Sequence, residues 1–392
     1  MVIIDAAASR VSSVADAPAP AAARATTAGA TTARAEQDAA LAALETDLDA
    51  DDLATGRAPL YVLTAGLRLE PHGEGFSVLE NGRALVVLPA RLVHRIDLGA
   101  EVEASDAALR LAAAHGIPVA FLDGRLQPIA VLLQQTGTHS SGGDAGLHLA
   151  QARMVLDPAH SLTLARALVA GRIANARVLL IRLNRKRGKP AVRTATAAMA
   201  RLADWARLSA ADIDAARGAE GAAARLYWPT LGSFLQHGFT LARRRDDPTN
   251  PVTAILNWTA SLLTREVRAA VLRAGLHPGF GALHAASDER EACVYDLMEE
   301  FRAPLSEGLT VYMFNNRILR ADDFAVEADG VRIFSEAGRR VIRGWEAWLA
   351  QPIRNPVTGR RTSWRGLILT QARALARAAR AGGSYRPYAM DY

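Results

Sequence analysis

The 392-residue sequence predicts an α+β protein, with a small N-terminal mainly β domain followed by a larger all-α domain. Three observations lead there. Between Leu60 and Leu132 the apolar residues come in short Val- and Leu-rich runs parted by turn dipeptides. A polar, Gly- and Ser-rich stretch at 134–146 then breaks the pattern. Beyond it apolar residues recur every three to four positions, the period of a helix face.

Each element follows from its own residues. Residues 1–57 are mostly Ala, Thr and Asp with few large apolar side chains before Leu41, which predicts a disordered extension with at most one short helix. The mainly β domain is expected over 58–133, with strands at 60–69, 75–79, 85–88, 93–98, 117–122 and 126–132. Asn81-Gly82 between two apolar runs predicts a tight hairpin, because both residue types tolerate positive φ. Ser105 is placed to cap a helix over 106–115. After the linker at 134–146, residues 147–392 read as helices at 147–155, 161–183, 192–208, 218–236, 251–274, 289–302, 336–350 and 363–381. A small hairpin around Asp329-Gly330 interrupts them.

Composition narrows the function classes. No apolar run reaches the roughly 18 to 20 residues that span a bilayer, so no membrane segment is expected. A single cysteine, Cys293, rules out an internal disulfide framework and a Cys-rich zinc site, and a cytoplasmic protein is expected. The net charge of +6 is unevenly spread. Residues 1–57 hold nine acids and four bases, whereas residues 172–245 hold 15 bases and four acids. Residues 339–386 hold 11 bases and one acid. One-signed basic regions attract a polyanion, because Lys and Arg contacts to phosphate dominate nucleic-acid affinity. Arg182, Arg185, Lys186, Arg187, Lys189 and Arg193 form one run, and Arg243, Arg244 and Arg245 a second. Both are expected on phosphates, with a solvated charged loop as the competing reading. Tyr227 and Trp228 are expected to stack on splayed bases, with a place in the core for one of them as the competing reading.

There is no P-loop, dinucleotide fingerprint, paired-cysteine zinc motif or nucleophile elbow. What remains is a set of acids and a histidine among apolar helices. Glu220 lies among small residues, which leaves room for a metal or a DNA strand to approach. An exposed acid in the first turn, favourable to the helix dipole, is the alternative. Asp296 and Glu299, spaced i and i+3, share a helix face. Their repulsion calls for a cation or for a partner such as Arg302. His284 stands 15 residues before Glu299, after a loop-like Pro278-Gly279-Phe280-Gly281 stretch. Glu300 points elsewhere and is expected to be solvated.

Four motifs in order then resemble a known family. Glu220-Gly-Ala-Ala-Ala-Arg-Leu-Tyr227-Trp228 is similar to the first acidic motif of the CRISPR adaptation integrases. Asn250-Pro251-Val252-Thr253-Ala-Ile-Leu-Asn257-Trp258 resembles their Pro-Val-Asn-Ala-Leu-Leu-Asn-Tyr helix, with Thr253 and Trp258 as departures. Leu276 to His284 and Tyr295-Asp-Leu-Met-Glu-Glu-Phe-Arg302 resemble the His and Asp-Leu-x-Glu motifs. Ser384-Tyr-Arg-Pro-Tyr388 resembles the closing Tyr-Arg-Pro-Phe. The resemblance implies a metal-dependent DNA endonuclease and integrase that inserts short DNA fragments into a CRISPR array through their 3′-hydroxyls. It implies a dimerising β domain and a helical catalytic domain. Glu220, His284 and Glu299 would hold Mg²⁺ or Mn²⁺, with Asp296 close by. The implied partners are double-stranded DNA with 3′-OH ends, CRISPR repeat DNA, a second copy in a homodimer, and a small second CRISPR adaptation protein in a heterohexamer. A branched-DNA nuclease or mobile-element transposase of the same fold, and a non-enzymatic DNA-binding scaffold, are the rival readings.

Overall fold

The computed structural model describes residues 2–4, 58–124, 128–132, 144–242, 248–284, 291–327, 330–356 and 359–391. The chain divides into two compact units, 1–138 and 139–392.

The first unit packs two sheets on one core. Strands β1 (Val2–Ile4), β2 (Ala58–Val62), β6 (Val93–Leu98), β8 (Val119–Leu122) and β9 (Pro128–Leu132) lie side by side in that order. All but the last pair run parallel. The second sheet has the order β5 (Arg83–Pro89), β4 (Gly75–Glu80), β3 (Leu67–His72), β7 (Glu103–Ala104). Leu60, Val62, Ile96, Leu98 and Val119 from the first sheet meet Leu67, Leu69, Phe76 and Val78 from the second. Helix α1 (Asp106–Ala114) adds Ala108 and Ala112 to that core.

Asn81 and Gly82 adopt φ of 50° and 78°, and β4 pairs β5 up to Glu80 opposite Arg83. That is the geometry a two-residue hairpin needs. Ser105 accepts the Ala108 amide as the cap of α1. Two expectations are corrected. The single strand at 60–69 is two strands in different sheets, because Gly66 at φ 79° turns the chain between them. Val2–Ile4, expected inside a disordered extension, pairs in parallel with β2, an apolar run extending the sheet.

The second unit is built of helices α2 (Asp144–Leu156), α3 (Pro158–Asn184), α4 (Pro190–Leu208), α5 (Ile213–Gly232), α6 (Pro251–Arg273), α7 (Ala292–Phe301), α8 (Gly308–Asn315), α9 (Ser335–Leu349) and α10 (Trp364–Ala381). Their starts are written in the sequence. Asp157, Asp212, Asn250 and Ser363 each accept a backbone amide of the first turn, and Pro158 and Pro251 stand at the position where a missing N–H costs nothing. Helix α10 stops at Gly382, φ 64°. The small hairpin is present as β10 (Phe324–Glu327) and β11 (Gly330–Ile333). Strands β12 (Ile353–Arg354) and β13 (Arg361–Thr362) form a second short pair. Among the described residues, no helix is long and apolar enough to cross a membrane.

Helices α7 and α8 are joined without a loop by a π-helical segment, Arg302–Glu307. Gly308 donates to the Ala303 carbonyl, five residues back. Pro304 has no N–H, so the carbonyl four residues before it, that of Glu300, loses its helical donor. Asn175 of α3 supplies the replacement, its Nδ2 donating to Glu300 O at 2.8 Å. Glu300 itself corrects the expectation of a solvated acid. It is fully buried and accepts from Gln371 Nε2 at 2.8 Å, from the Tyr385 hydroxyl at 2.5 Å and from the Tyr388 amide. The closing Ser384-Tyr-Arg-Pro-Tyr388 segment is thereby bound to the helix that carries Asp296 and Glu299.

Candidate metal-binding active site

Glu220 lies two turns into α5, which begins at Ile213 rather than at 218. The first-turn reading of this acid therefore fails, since the dipole effect fades within one turn. Glu220 is half-buried and accepts no hydrogen bond among the described residues. Burial and the facing Glu299 push its carboxyl above the ordinary range, against the pull of Arg172, His284 and Arg302. A desolvated carboxylate close to another is stabilised by a cation placed between them.

His284 is positioned by three helices. Asp296 of α7 accepts the amides of Ala282 (2.6 Å), Leu283 (3.0 Å) and His284 (2.9 Å), and its Oδ1 lies 2.8 Å from His284 Nδ1. A carboxylate only accepts, so Nδ1 carries the proton and the ring's lone pair sits on Nε2. Gln151 of α2 is fully buried and donates to the carbonyls of His277 and Phe280, both at 3.0 Å, while accepting the His277 amide at 2.8 Å. Arg217 of α5 donates to Leu283 O at 3.0 Å. Gly281 allows the loop to touch α7: a Cβ there would stand 2.5 Å from the Ala292 carbonyl carbon. The neighbouring carboxylates, Asp296 first among them, outweigh burial and raise the His284 imidazole above its ordinary value.

Glu299 is buried on the same face of α7 as Asp296. Arg302 Nε donates to its Oε1 at 2.8 Å, and Arg172 Nε of α3 lies 3.3 Å from its Oε2. Burial pushes this carboxyl up, yet the two guanidiniums win and hold it below its ordinary value. Oε2 makes no hydrogen bond. Arg172 is in turn bound through both terminal nitrogens to Glu307, at 2.6 and 3.2 Å. Glu220, Glu299, Arg172 and Arg302 line a cavity of about 250 Å³ whose other walls include Ile173, Ala176, Met199, Ala223 and Trp228.

Among the described residues no three acids, histidines or cysteines lie close enough to enclose one ion. The donor set nevertheless fits a hard divalent cation. With His284 neutral, the carboxylates of Glu220, Asp296, Glu299 and Glu307 outnumber the guanidiniums of Arg172 and Arg302 by two. Glu299 Oε2 and His284 Nε2 are left without hydrogen-bond partners among the described residues, and carboxylate oxygens with one imidazole suit Mg²⁺ or Mn²⁺. Both oxygens of Asp296 are taken up by the amides and ring of the His284 loop, the arrangement of a carboxylate that orients a histidine.

The basic run lies at the end of α3 and the start of α4. Arg182, Arg185, Lys186, Arg187 and Arg193 are exposed, and Lys189 is half-buried with its ammonium 2.6 Å from Ser233 O. Arg243, Arg244 and Arg245 lie outside the described residues. Tyr227 corrects an expectation. It is 2 % exposed and its hydroxyl donates to Glu307 Oε2 at 2.6 Å, so its ring is not available for base stacking. Nothing in the sequence singles out Arg172, Glu307, Arg217 or Gln151 as part of a site. Their contacts span from 66 to 135 positions, and a single sequence carries no periodic signal for such pairs.

Residues 60–347 match the family model described as CRISPR associated protein Cas1. The chain is 31% identical over 329 residues to the CRISPR-associated endonuclease Cas1 3 of Thermus thermophilus, covering 82% of this chain and 93% of that one. It superposes with a TM-score of 0.71 on a casposase bound to integration product, at 18% identity, over 84% of this chain and 92% of that one. A chain of a Cas6-RT-Cas1--Cas2 complex gives a TM-score of 0.73 at 19% identity, over 87% of this chain and 37% of that one. At such identities the two structures speak for the shared fold alone.

Proposed function

The chain belongs to the family of CRISPR associated protein Cas1, and from that premise we propose that it is a metal-dependent DNA endonuclease and integrase of CRISPR adaptation. The observation that carries the reading is the meeting of Glu220 and Glu299 at one cavity, beside a histidine whose tautomer Asp296 fixes. Glu220, Glu299 and His284 would hold Mg²⁺ or Mn²⁺, which when bound supplies positive charge at a reacting phosphate and at the attacking hydroxyl.

The chain's own residues do the rest. Asp296 and Gln151 fix the loop so that His284 Nε2 presents its lone pair. Arg172 and Arg302 hold the Glu299 carboxylate. The exposed arginines and lysine of 182–193 grip phosphates and set the duplex in place without reading bases. The substrate is a short duplex with free 3′-hydroxyls, and the target is repeat DNA. The 3′-oxygen attacks a target phosphorus while the bond to the adjoining strand's 3′-oxygen breaks. That strand leaves with a 3′-hydroxyl, the proton passes from the attacking to the leaving oxygen through solvent, and no nucleotide cofactor is consumed. A homodimer formed through the β domain, joined by the small second adaptation protein in a heterohexamer, is the proposed working assembly. The fold shared with a chain of a Cas6-RT-Cas1--Cas2 complex supports it.

The test is strand transfer. A labelled duplex with 3′-hydroxyls and a supercoiled plasmid carrying a repeat are incubated with Mg²⁺ or Mn²⁺, with EDTA, and with Glu220→Ala and His284→Ala. Label is expected in the plasmid only with metal, and in neither folded variant. Joining to DNA without preference for the repeat would favour the mobile-element transposase reading, which the likeness to a casposase motivates. DNA binding with no joining or cutting under any condition would refute the enzyme.

A further inference from the structure

Arg172 lies at the centre of a buried relay. Its two terminal nitrogens are both bound to Glu307, and the Tyr227 hydroxyl donates to the same carboxylate at 2.6 Å. The Tyr227 ring also lies under the guanidinium, 5.5 Å from ring centre to Cζ. Two anchored nitrogens fix the plane of a guanidinium, and a fixed plane fixes the direction of the third donor, Nε. That nitrogen stands 3.3 Å from Glu299 Oε2, an ion-pair contact rather than a hydrogen bond. Arg302 meanwhile takes Oε1 from within α7. The carboxylate is thus held from two sides, yet its Oε2 keeps a lone pair that no hydrogen bond uses.

The three parts come from three elements. Arg172 belongs to α3, Tyr227 to α5 and Glu307 to the π segment. Tyr227 stands seven residues after Glu220, two turns on along the same helix face, and so α5 meets the α7 rod at two levels. At one level Tyr227 binds Glu307. At the other Glu220 faces Glu299. A counter-ion for Glu307 alone would need only a positive charge, which a lysine provides. Holding a second carboxylate, that of Glu299, at a fixed distance is a different requirement, and a planar guanidinium anchored through both terminal nitrogens meets it with its remaining Nε.

We propose that Arg172, braced by Glu307 and Tyr227, is the positioning residue that aims Glu299 at a divalent cation shared with Glu220. The inference rests on the metal site of the proposed function. It adds to it a support whose loss weakens metal binding while leaving every ligand in place.

The full-length protein and its Arg172→Lys, Glu307→Gln, Tyr227→Phe and Glu220→Ala variants are titrated with Mn²⁺, and bound ion is counted by electron paramagnetic resonance. Metal-free melting by circular dichroism runs in parallel. Loss of an outer support typically weakens metal affinity about 10- to 100-fold. That drop is expected for Arg172→Lys and Glu307→Gln, and a smaller one for Tyr227→Phe, with a matching rise in the Mn²⁺ needed for half-maximal strand transfer. Should Arg172→Lys not fold, Tyr227→Phe decides, because it removes one oxygen and no charge. Wild-type Mn²⁺ affinity in the folded relay variants, with affinity lost in Glu220→Ala, overturns the inference and leaves the site standing. Wild-type affinity in Glu220→Ala as well would overturn the site itself.

Discussion

Replacing Asp296 by asparagine separates an orienting carboxylate from a metal ligand. Each oxygen of Asp296 accepts two hydrogen bonds: Oδ2 from the amides of Ala282 and Leu283, Oδ1 from the amide and ring Nδ1 of His284. Asparagine has one oxygen, so two of these four donors meet an NH₂ group instead. Bonds to a buried charged acceptor contribute about 1.5–3 kcal/mol each. Losing two would cost about 3–6 kcal/mol in a rigid loop. The lower end is expected, because His284 is partly exposed and water can reach freed donors. If the amide oxygen stays on Ala282 and Leu283, its NH₂ donates to His284 Nδ1, the ring proton moves to Nε2, and the ligating lone pair is gone. If it stays on His284, the loop's own amides are repelled. Either arrangement should weaken Mn²⁺ binding and strand transfer at least about 10- to 100-fold. Urea denaturation gives the first quantity; manganese titration and a joining assay give the second. An Asp296→Asn protein with unchanged midpoint and unchanged metal affinity would show that Asp296 does not orient His284.

Three further outcomes are expected. Gly281→Ala puts a methyl 2.5 Å from the backbone of Ala292, and backbone cannot step aside as a flexible side chain can. Overpacking of this kind costs about 1–3 kcal/mol, and metal affinity should fall with it; a fully active, fully stable variant would refute the close approach. Burial pushes Glu300 up from its ordinary 4.5 to about 7, overcoming the three donors that bind it. For an acid whose folded value is raised, the folded state holds the proton longer. Its contribution is therefore complete below about pH 4.5 and is lost as pH rises through about 7, a fall of about 3.5 kcal/mol at about 1.4 kcal/mol per pH unit. Glu300→Gln should remove that slope from the stability profile between pH 4.5 and 7, and an unaltered slope would assign it to other groups. Changing Arg185, Lys186 and Arg187 together to Ala should weaken duplex binding equally for all sequences and flatten its log-log salt dependence by up to about 3. An unchanged slope would leave these exposed charges off the DNA.

What was legible in the sequence was local. The Asn81-Gly82 hairpin, the Ser105 cap and the starts of α3 and α6 each depend on a few adjacent residues with one strong conformational preference. Glu220, Asp296, Glu299 and His284 stand out in the sequence as candidates because their motifs come in family order. What was not legible depends on who lies opposite whom. Glu300 follows Glu299 by one position, which turns it away from the cavity, and a turned-away acid reads as solvated. It is buried because residues 385–388 return from the far end of the chain to cover that side. Arg172 reads as an ordinary member of a basic stretch until Glu299 and Glu307 are seen beside it. Tyr227 next to Trp228 reads as an aromatic pair, and only the fold says that its hydroxyl is spent on Glu307. The start of α5 was missed because Ile213–Gly218 carries almost no apolar period, although Asp212 caps it.

The wide turn at Arg302–Glu307 bears on how this gene can change. In an unbroken α-helix a residue eight places along stands about 80° further round the axis, so Glu299 and Glu307 would not face one guanidinium. The wider turn absorbs that surplus rotation. Deleting a single codon within it would let the backbone relax into ordinary α-helix, with every amide still bonded and composition hardly altered. All that follows would nevertheless be rotated and drawn back by one step, taking Glu307 from Arg172 and α8 from its seat. Frame-preserving loss of one residue, which surface loops tolerate, should be purged here, while substitutions that keep the count are accepted more readily.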